Sequence, residues 1–290
     1  MRAPALALIA VTAVWGSTFV VVKDSVEKMP VTDFLTWRFA LAALAMLVVR
    51  PRAVGSLGPG GRRAGVLIGL ALGAGYLLQT LGLQTTPAAV SGFITGMFVV
   101  LTPLAAAVLL RKPPDRTAWA AVGLATAGLG FLALHGFTVG RGELLTLGCA
   151  AAFALHIVGL GRWASAYDVY GLAVLQLLTV AGTCAVVAVP GGLAMPPDAQ
   201  VWGALALTAL AATAIAFVVQ TWAQAHLAPT RAAVIMTMEP VFAGLFAVVA
   251  AGEHLGPRTL TGAVLVLAAM ILTEVGPRRG AEGEVERLEV

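Results

Sequence analysis

Residues 64–110 read AGVLIGLALGAGYLLQTLGLQTTPAAVSGFITGMFVVLTPLAAAVLL and contain no charged side chain. A helix needs about 20 apolar residues to cross the hydrocarbon core of a bilayer. This run is too long for one crossing and suits two. It also carries its own divider. Gln84-Thr85-Thr86-Pro87 sets three polar residues before a proline, and proline is favoured at a helix start because its missing N–H would be unpaired there anyway. The reading is two membrane helices joined by a tight polar turn.

The rest of the chain follows the same pattern. Of 290 residues, 59% are hydrophobic and only 11% charged, and mean hydropathy is +0.93. A soluble domain needs about 25% charged residues to face water. Apolar runs that read as spans fall at 4–22, 31–49, 64–83, 87–110, 117–134, 142–161, 169–189, 200–221, 229–251 and 258–275. His226-Leu227-Ala228-Pro229 divides the eighth from the ninth as Gln84–Pro87 divides the third from the fourth. The expected fold class is an all-α integral membrane protein with ten transmembrane helices. The run after Met1-Arg2 superficially resembles a signal peptide, but no small-x-small cleavage site with a polar start follows it. It reads as an uncleaved first helix.

The net charge is +4 and the pI about 9.5. The charges sit in short gaps between apolar runs and form no basic stripe, which argues against nucleic-acid binding. Their distribution fits the accumulation of Lys and Arg in cytoplasmic loops. Of the 18 Lys and Arg, Arg38 lies within a span and Lys23, Lys28, Arg141 and Arg258 fall on the side opposite the N-terminus. The remaining 13 share the N-terminal side. Both termini are therefore expected in the cytoplasm, with residues 276–290 as a polar cytoplasmic tail. The Ala- and Gly-rich composition fits a bacterial inner membrane. Cys149 and Cys184 lie in apolar runs without metal-ligand spacing, and read as buried thiols.

The chain echoes itself. Lys23 and Arg162 each close the first helix of a half. Arg38 and Gln176 (138 apart), Pro103 and Pro240 (137 apart) and Gly123 and Gly262 (139 apart) occupy matching spans. The halves are assigned to 1–137 and 138–275. Five helices per half is an odd number, so the second half enters the membrane in the opposite sense. Such inverted repeats are typical of transporters, because two halves can rock about a central site.

Ionisable residues inside a span are costly and mark function or a fixed pair. Arg38 and Glu239 stand near the middle of the second and ninth spans. They could pair with each other or face a water-filled cavity. Trp15, Tyr76, Gln79, Thr95, His156, Gln176 and Gln220 are the further candidates for a polar substrate-binding cavity. Ser17 and Thr18 are also polar residues within a span. Each of these could instead bond a neighbouring helix. Pro103 and Pro240 free a backbone carbonyl one turn back and are candidate hinges or static kinks. Gly65, Gly69 and Gly73, and Gly92 and Gly96, recur every four residues and allow close helix packing.

The HExxH, GxSxG and GxxxxGK[ST] signatures are absent. No catalytic residue, metal site or cofactor is expected, and transport would draw on a gradient or a partner. The expected partners are a small-molecule substrate and the lipid bilayer, with the chain acting as a monomer or homodimer. Two other classes stay open: a non-transporting membrane sensor or scaffold, and an intramembrane enzyme using Ser91 and His156.

WGSTFVVVK (15–23), MPVTDFLTWRF (29–39), SGFITGMFVVLTPL (91–104), GELLTLGCAAAFALHIVGLGR (142–162) and PTRAAVIMTMEPVFAGLFAVVAAGE (229–253) occur in this order. Together they resemble the drug/metabolite transporter superfamily, specifically the EamA-type two-repeat exporters, over about residues 5–275. The resemblance implies a ten-helix inverted-repeat fold with a central cavity. It also implies inner-membrane export of small metabolites such as amino acids or their relatives, without ATP. One departure stands out. The first repeat has Arg111-Lys112-Pro113 where the second has Gly252-Glu253.

Overall fold

The computed structural model describes residues 2–110, 116–135, 138–227, 235–236 and 238–275. Without water to bond exposed N–H and C=O groups, apolar runs in a membrane must satisfy their backbone internally, as helices. The helices are α1 (Arg2–Val26), α2 (Val31–Val49), α3 (Pro59–Leu83), α4 (Ala88–Gly96), α5 (Phe98–Leu110) and α6 (Arg116–Ala133). They continue with α7 (Arg141–Trp163), α8 (Val169–Ala188), α9 (Ala199–Ala209), α10 (Ala216–His226), α11 (Met238–Ala251) and α12 (Pro257–Val275). A six-residue π-helical segment, Leu210–Ile215, joins α9 to α10. Two short strands, β1 (Leu134–His135) and β2 (Thr138–Val139), pair antiparallel between α6 and α7.

Seven helical stretches are long and apolar enough to cross a membrane, and three further apolar helices, Trp119–Leu132, Met238–Ala251 and Pro257–Ala269, are shorter. The chain is a multi-pass membrane protein. Cys149 and Cys184 are buried free thiols. Pro229, Arg231, Arg111-Lys112-Pro113 and the tail at 276–290 lie outside the described residues.

Two spans differ from the uniform helices read from sequence. The expected helix 87–110 breaks at Met97, whose N–H reaches back three residues to Ile94 O at 3.1 Å, tightening the turn between α4 and α5. The expected helix 200–221 runs on to His226 and is interrupted by the π segment. Pro103 lies inside α5, and Pro240 is the third described residue of α11.

The packing is symmetric under exchange of the halves. α1 packs on α11 as α7 packs on α4 and α5. α3 packs on α7 as α9 and α10 pack on α1, and α3 meets α8 as α9 and the π segment meet α2. The pairs α2–α8, α4–α11 and α6–α12 map onto themselves. Gly65, Gly69 and Gly73 form the α3 face against α8. A Cβ at Gly69 would lie 2.9 Å from Gln176 O, so any larger residue would push the two backbones apart.

The halves are also joined by polar contacts at both ends. Gly252 has φ of +65°, a conformation L side chains rarely adopt. It turns the chain after α11 so that both Glu253 oxygens reach the start of α4, accepting from Ala88 N at 2.8 Å and Ala89 N at 3.1 Å. This gives the Gly-Glu pair a physical role: a carboxylate from one half caps a helix of the other, where the helix dipole favours negative charge. Beside it, Lys23 Nζ donates to Thr86 O at 3.2 Å. At the same end Lys28 pairs with Asp198 at 3.0 Å, and Asp33 accepts from Ala194 N at 2.9 Å. At the opposite end Asp168 caps α8 through Tyr170 N and Gly171 N and pairs with Arg50. Burial alone would raise the Asp168 carboxyl, but the two backbone N–H groups and the Arg50 guanidinium outweigh it and hold it below the ordinary value of 3.8.

Glu253→Ala leaves two α4 N–H groups without a partner and should cost about 1 kcal/mol, read as a lower unfolding temperature in detergent. Glu253→Gln, which can still accept, should lose less. Because folding depresses the Asp168 pKa, its contribution is present above the unfolded value and lost as pH falls through the folded one. The unfolding temperature should therefore fall on acidification to below pH 3.8. Asp168→Asn keeps the cap but not the charge, and should flatten that dependence.

Candidate functional site

A cavity opens where the halves meet. Its walls are Trp15, Thr18 and Phe19 from α1, Leu72, Tyr76 and Gln79 from α3, Phe98 from α5, Phe153, His156 and Ile157 from α7, Phe217 and Gln220 from α10, and Met236 and Glu239 beside and in α11. About 450 Å³ of space lies between these walls and in the open mouth. Six of the nine substrate-site candidates line it: Trp15, Tyr76, Gln79, His156, Gln220 and Glu239. The other three stand one contact behind. Thr95 Oγ1 accepts from Gln79 Nε2 at 3.2 Å, Gln176 Oε1 lies 2.7 Å from His156 Nε2, and the Arg38 guanidinium lies 4.9 Å from the centre of the Tyr76 ring.

Arg38 and Glu239 do not pair. The ion pairs among the described residues are Lys28–Asp198 and Arg50–Asp168. Arg38 is 2% exposed, wedged between the rings of Phe39 and Tyr76, with Nε donating to Thr213 Oγ1 at 2.9 Å. Its Nη2 is buried without a hydrogen-bond partner. Glu239 is 6% exposed and faces the cavity.

The π segment supplies two of these supports. A π turn displaces backbone carbonyls from the regular ladder, and such bulges recur at functional sites. Here Ala212 O accepts from Trp15 Nε1 at 2.8 Å, which fixes the indole as a cavity wall. The next residue, Thr213, holds Arg38. Aromatic rings fill the remaining wall. Tyr76 meets Phe39, Phe153 and Phe217 edge-on at 4.9, 5.4 and 6.1 Å, and Phe217 also contacts Trp15 and His156.

Phe153, Phe217, Ala212 and Thr213 were not legible as site residues from the spans alone. Two of the walls do leave a sequence trace. YLLQT at 76–80 and FVVQT at 217–221 stand 141 residues apart and set Tyr76 opposite Phe217 and Gln79 opposite Gln220. The π segment leaves none, since LAATAI reads as ordinary helix. Ser91 Oγ is buried without a partner and His156 engages Gln176, so these two do not form a nucleophile–base pair.

The sequence model of the EamA-like transporter family matches this chain twice, at residues 2–134 and 140–275. The chain belongs to the EamA-like transporter family. Among relatives of this EamA-like chain, a protein of Archaeoglobus fulgidus named only as an uncharacterized transporter is 34% identical over 271 residues, covering 93% of this chain and 85% of that one. The threonine/homoserine exporter RhtA of Salmonella typhimurium is 32% identical over 72% of this chain and 68% of its own length. RhtA of Escherichia coli K12 is 29% identical over 77% and 74%. A solved structure described only as a crystal structure of a protein matches the whole of both chains with a TM-score of 0.68 at 18% identity, a likeness of fold.

Trp15→Phe keeps the ring in this EamA-like cavity but strips the N–H from the buried Ala212 carbonyl. It should destabilise the protein by about 1–3 kcal/mol, seen as a lower unfolding temperature.

Proposed function

We propose that this EamA-like protein is a secondary transporter that exports small metabolites, amino acids or related compounds, by alternating access. The observation that carries the reading is the cavity between the halves. It draws its walls from both, and holds a carboxylate, Glu239, that makes no ion pair among the described residues. A carboxylate buried in hydrocarbon without a partner is costly, and a substrate or proton is the natural counter-charge. Trp15, Arg38, Tyr76, Gln79, Thr95, His156, Gln176, Gln220 and Glu239 form the proposed substrate site.

The architecture proposed for this cycle is ten spans in two inverted halves, 1–137 and 138–275. The exchange symmetry of the packing supports it. The charge asymmetry of the loops supports cytoplasmic termini in a bacterial inner membrane. On that orientation the Glu253 cap lies on the outer side. Pro103, inside α5, and Pro240, in α11, are the proposed hinges. The names of the RhtA relatives favour amino acids as substrates. No ATP-binding P-loop is present in the sequence, so the proposed driving force is a gradient.

The test is purified protein in proteoliposomes, screened for counterflow of amino acids and small amines with a pH gradient imposed and then collapsed. Substrate-dependent counterflow is expected. Glu239→Gln should reduce it by about tenfold to a hundredfold, the loss of a charged hydrogen bond worth about 1.5–3 kcal/mol. Flux indifferent to the gradient would rule out proton coupling through Glu239. Absence of flux for every compound, with the protein folded, would favour a sensor or scaffold.

A further inference from the structure

α3 and α7 lie antiparallel and in register along their whole length. A Cβ at Gly82 would lie 2.7 Å from Gly142 O, one at Gly159 would lie 2.6 Å from Ile68 Cγ2, and one at Gly60 would lie 2.7 Å from the Tyr167 hydroxyl. The start of α3 and the end of α7 are therefore level, which sets Arg62 and Arg63 at the same height as Arg162. The turn between α2 and α3 is pressed onto the start of α8, where a Cβ at Gly171 would lie 2.6 Å from Ala53 O. That contact brings Arg50 and Arg52 to the same corner. Leu57, Ala64, Ile68, Leu160 and Leu172 pack beneath it as a small core of their own.

Five guanidinium groups meet one carboxylate at this corner. Asp168 is the only acidic residue in 50–63 and 160–172. It is already taken by Arg50 and by the N–H groups of Tyr170 and Gly171. Arg52, Arg62, Arg63 and Arg162 are exposed, and the ion pairs formed by the described residues include none of them. An apolar stripe follows directly on α3. Val66 and Leu67 stand four residues after Arg62 and Arg63, on the same helix face. They and Leu70 are 39%, 44% and 45% exposed, within a helix long and apolar enough to cross the membrane.

We propose that this corner binds an anionic phospholipid, in the leaflet on the side where α2 ends and α3 begins. Guanidinium groups fork onto phosphate oxygens. Arg62 and Arg63 of α3 and Arg162 of α7 take the headgroup, and an acyl chain runs along Val66, Leu67 and Leu70. A free phosphate would use the arginines and leave the apolar stripe without a partner. A zwitterionic phospholipid would bring its own cation among four unpaired guanidinium groups. An anionic phospholipid matches both the charge and the stripe. Because α3 lies in the first half and α7 in the second, the bound lipid bridges the halves. The site lies outside the cavity and is independent of what is transported.

The test titrates the full chain, in neutral detergent, with phosphatidylglycerol, with phosphatidylcholine of the same acyl chains and with inorganic phosphate. Native mass spectrometry counts the retained lipid, and the unfolding temperature is followed in parallel. Phosphatidylglycerol should bind at least about tenfold tighter than phosphatidylcholine and raise the unfolding temperature, which inorganic phosphate should not. The double variant Arg62→Gln, Arg63→Gln should weaken phosphatidylglycerol binding about tenfold to thirtyfold, the loss of two basic residues at an anionic surface. Arg62→Lys with Arg63→Lys keeps the charge without the fork and should retain part of the affinity. Arg141→Gln removes an exposed cation at the opposite end and should change nothing. Equal binding of the two lipids, equal stabilisation by inorganic phosphate, unchanged binding in the Gln double variant, or a comparable loss in Arg141→Gln would each overturn the proposal. If the double variant does not fold, phosphatidylglycerol with a photoreactive acyl chain should crosslink the wild type within Val66–Leu70, and crosslinks confined to other helices would overturn it.

Discussion

Hydrocarbon offers no hydrogen bonds, so wherever a helix in this protein starts, bends or widens, another part of the chain must supply the missing partner. Three such places organise the molecule. The start of α4 is capped by Glu253 from the other half. In the π segment the Ala212 carbonyl accepts from the Trp15 indole of α1. The threonine beside it holds the guanidinium of Arg38 from α2. In each case one half completes the backbone or side chain of the other. The halves are therefore held in register by polar contacts as well as by packing, in a solvent where apolar contact alone gives little preference for one neighbour over another.

Near-symmetry makes the departures informative. The fifth helices cross at glycines, Gly128 against Gly262, and the fourth helices meet with Gly92 against Ala243. Yet Tyr76 faces Phe217, Arg38 corresponds to Gln176, and the Gly-Glu turn occurs only in the second half. The shared positions build a cavity with walls from both halves. The positions that diverged put a guanidinium on one side and a hydrogen-bonded His156–Gln176–Thr221 chain on the other. The interior is in this way unsymmetrical, although the helix packing around it is nearly symmetric.

Much of this was legible in the chain because the bilayer imposes a one-dimensional rule. Charge is excluded over about 20 residues and readmitted between spans, so spans and turns appear as composition. The polar residues of Tyr76, Gln79, His156 and Glu239 stood out for the same reason: each is conspicuous in an apolar run. Phe153 and Phe217 did not, because an aromatic residue in a membrane helix looks alike whether it meets lipid or a ligand. The break at Met97 and the π turn at Leu210–Ile215 were equally silent, being choices between hydrogen-bond ladders of similar local energy that packing decides.

The sequence by itself determined the membrane class and named nine residues as candidates, both from composition and spacing along one chain, and its motifs resemble those of the family to which the chain belongs. Only the tertiary structure decided that the nine converge, that Arg38 and Glu239 stay apart with Tyr76 covering the guanidinium, and that Gly252-Glu253 clasps α4. Those facts depend on which helices become neighbours. In a bilayer that choice is made by the fit of small residues and the satisfaction of buried polar groups, which hydropathy along a single strand of sequence does not encode.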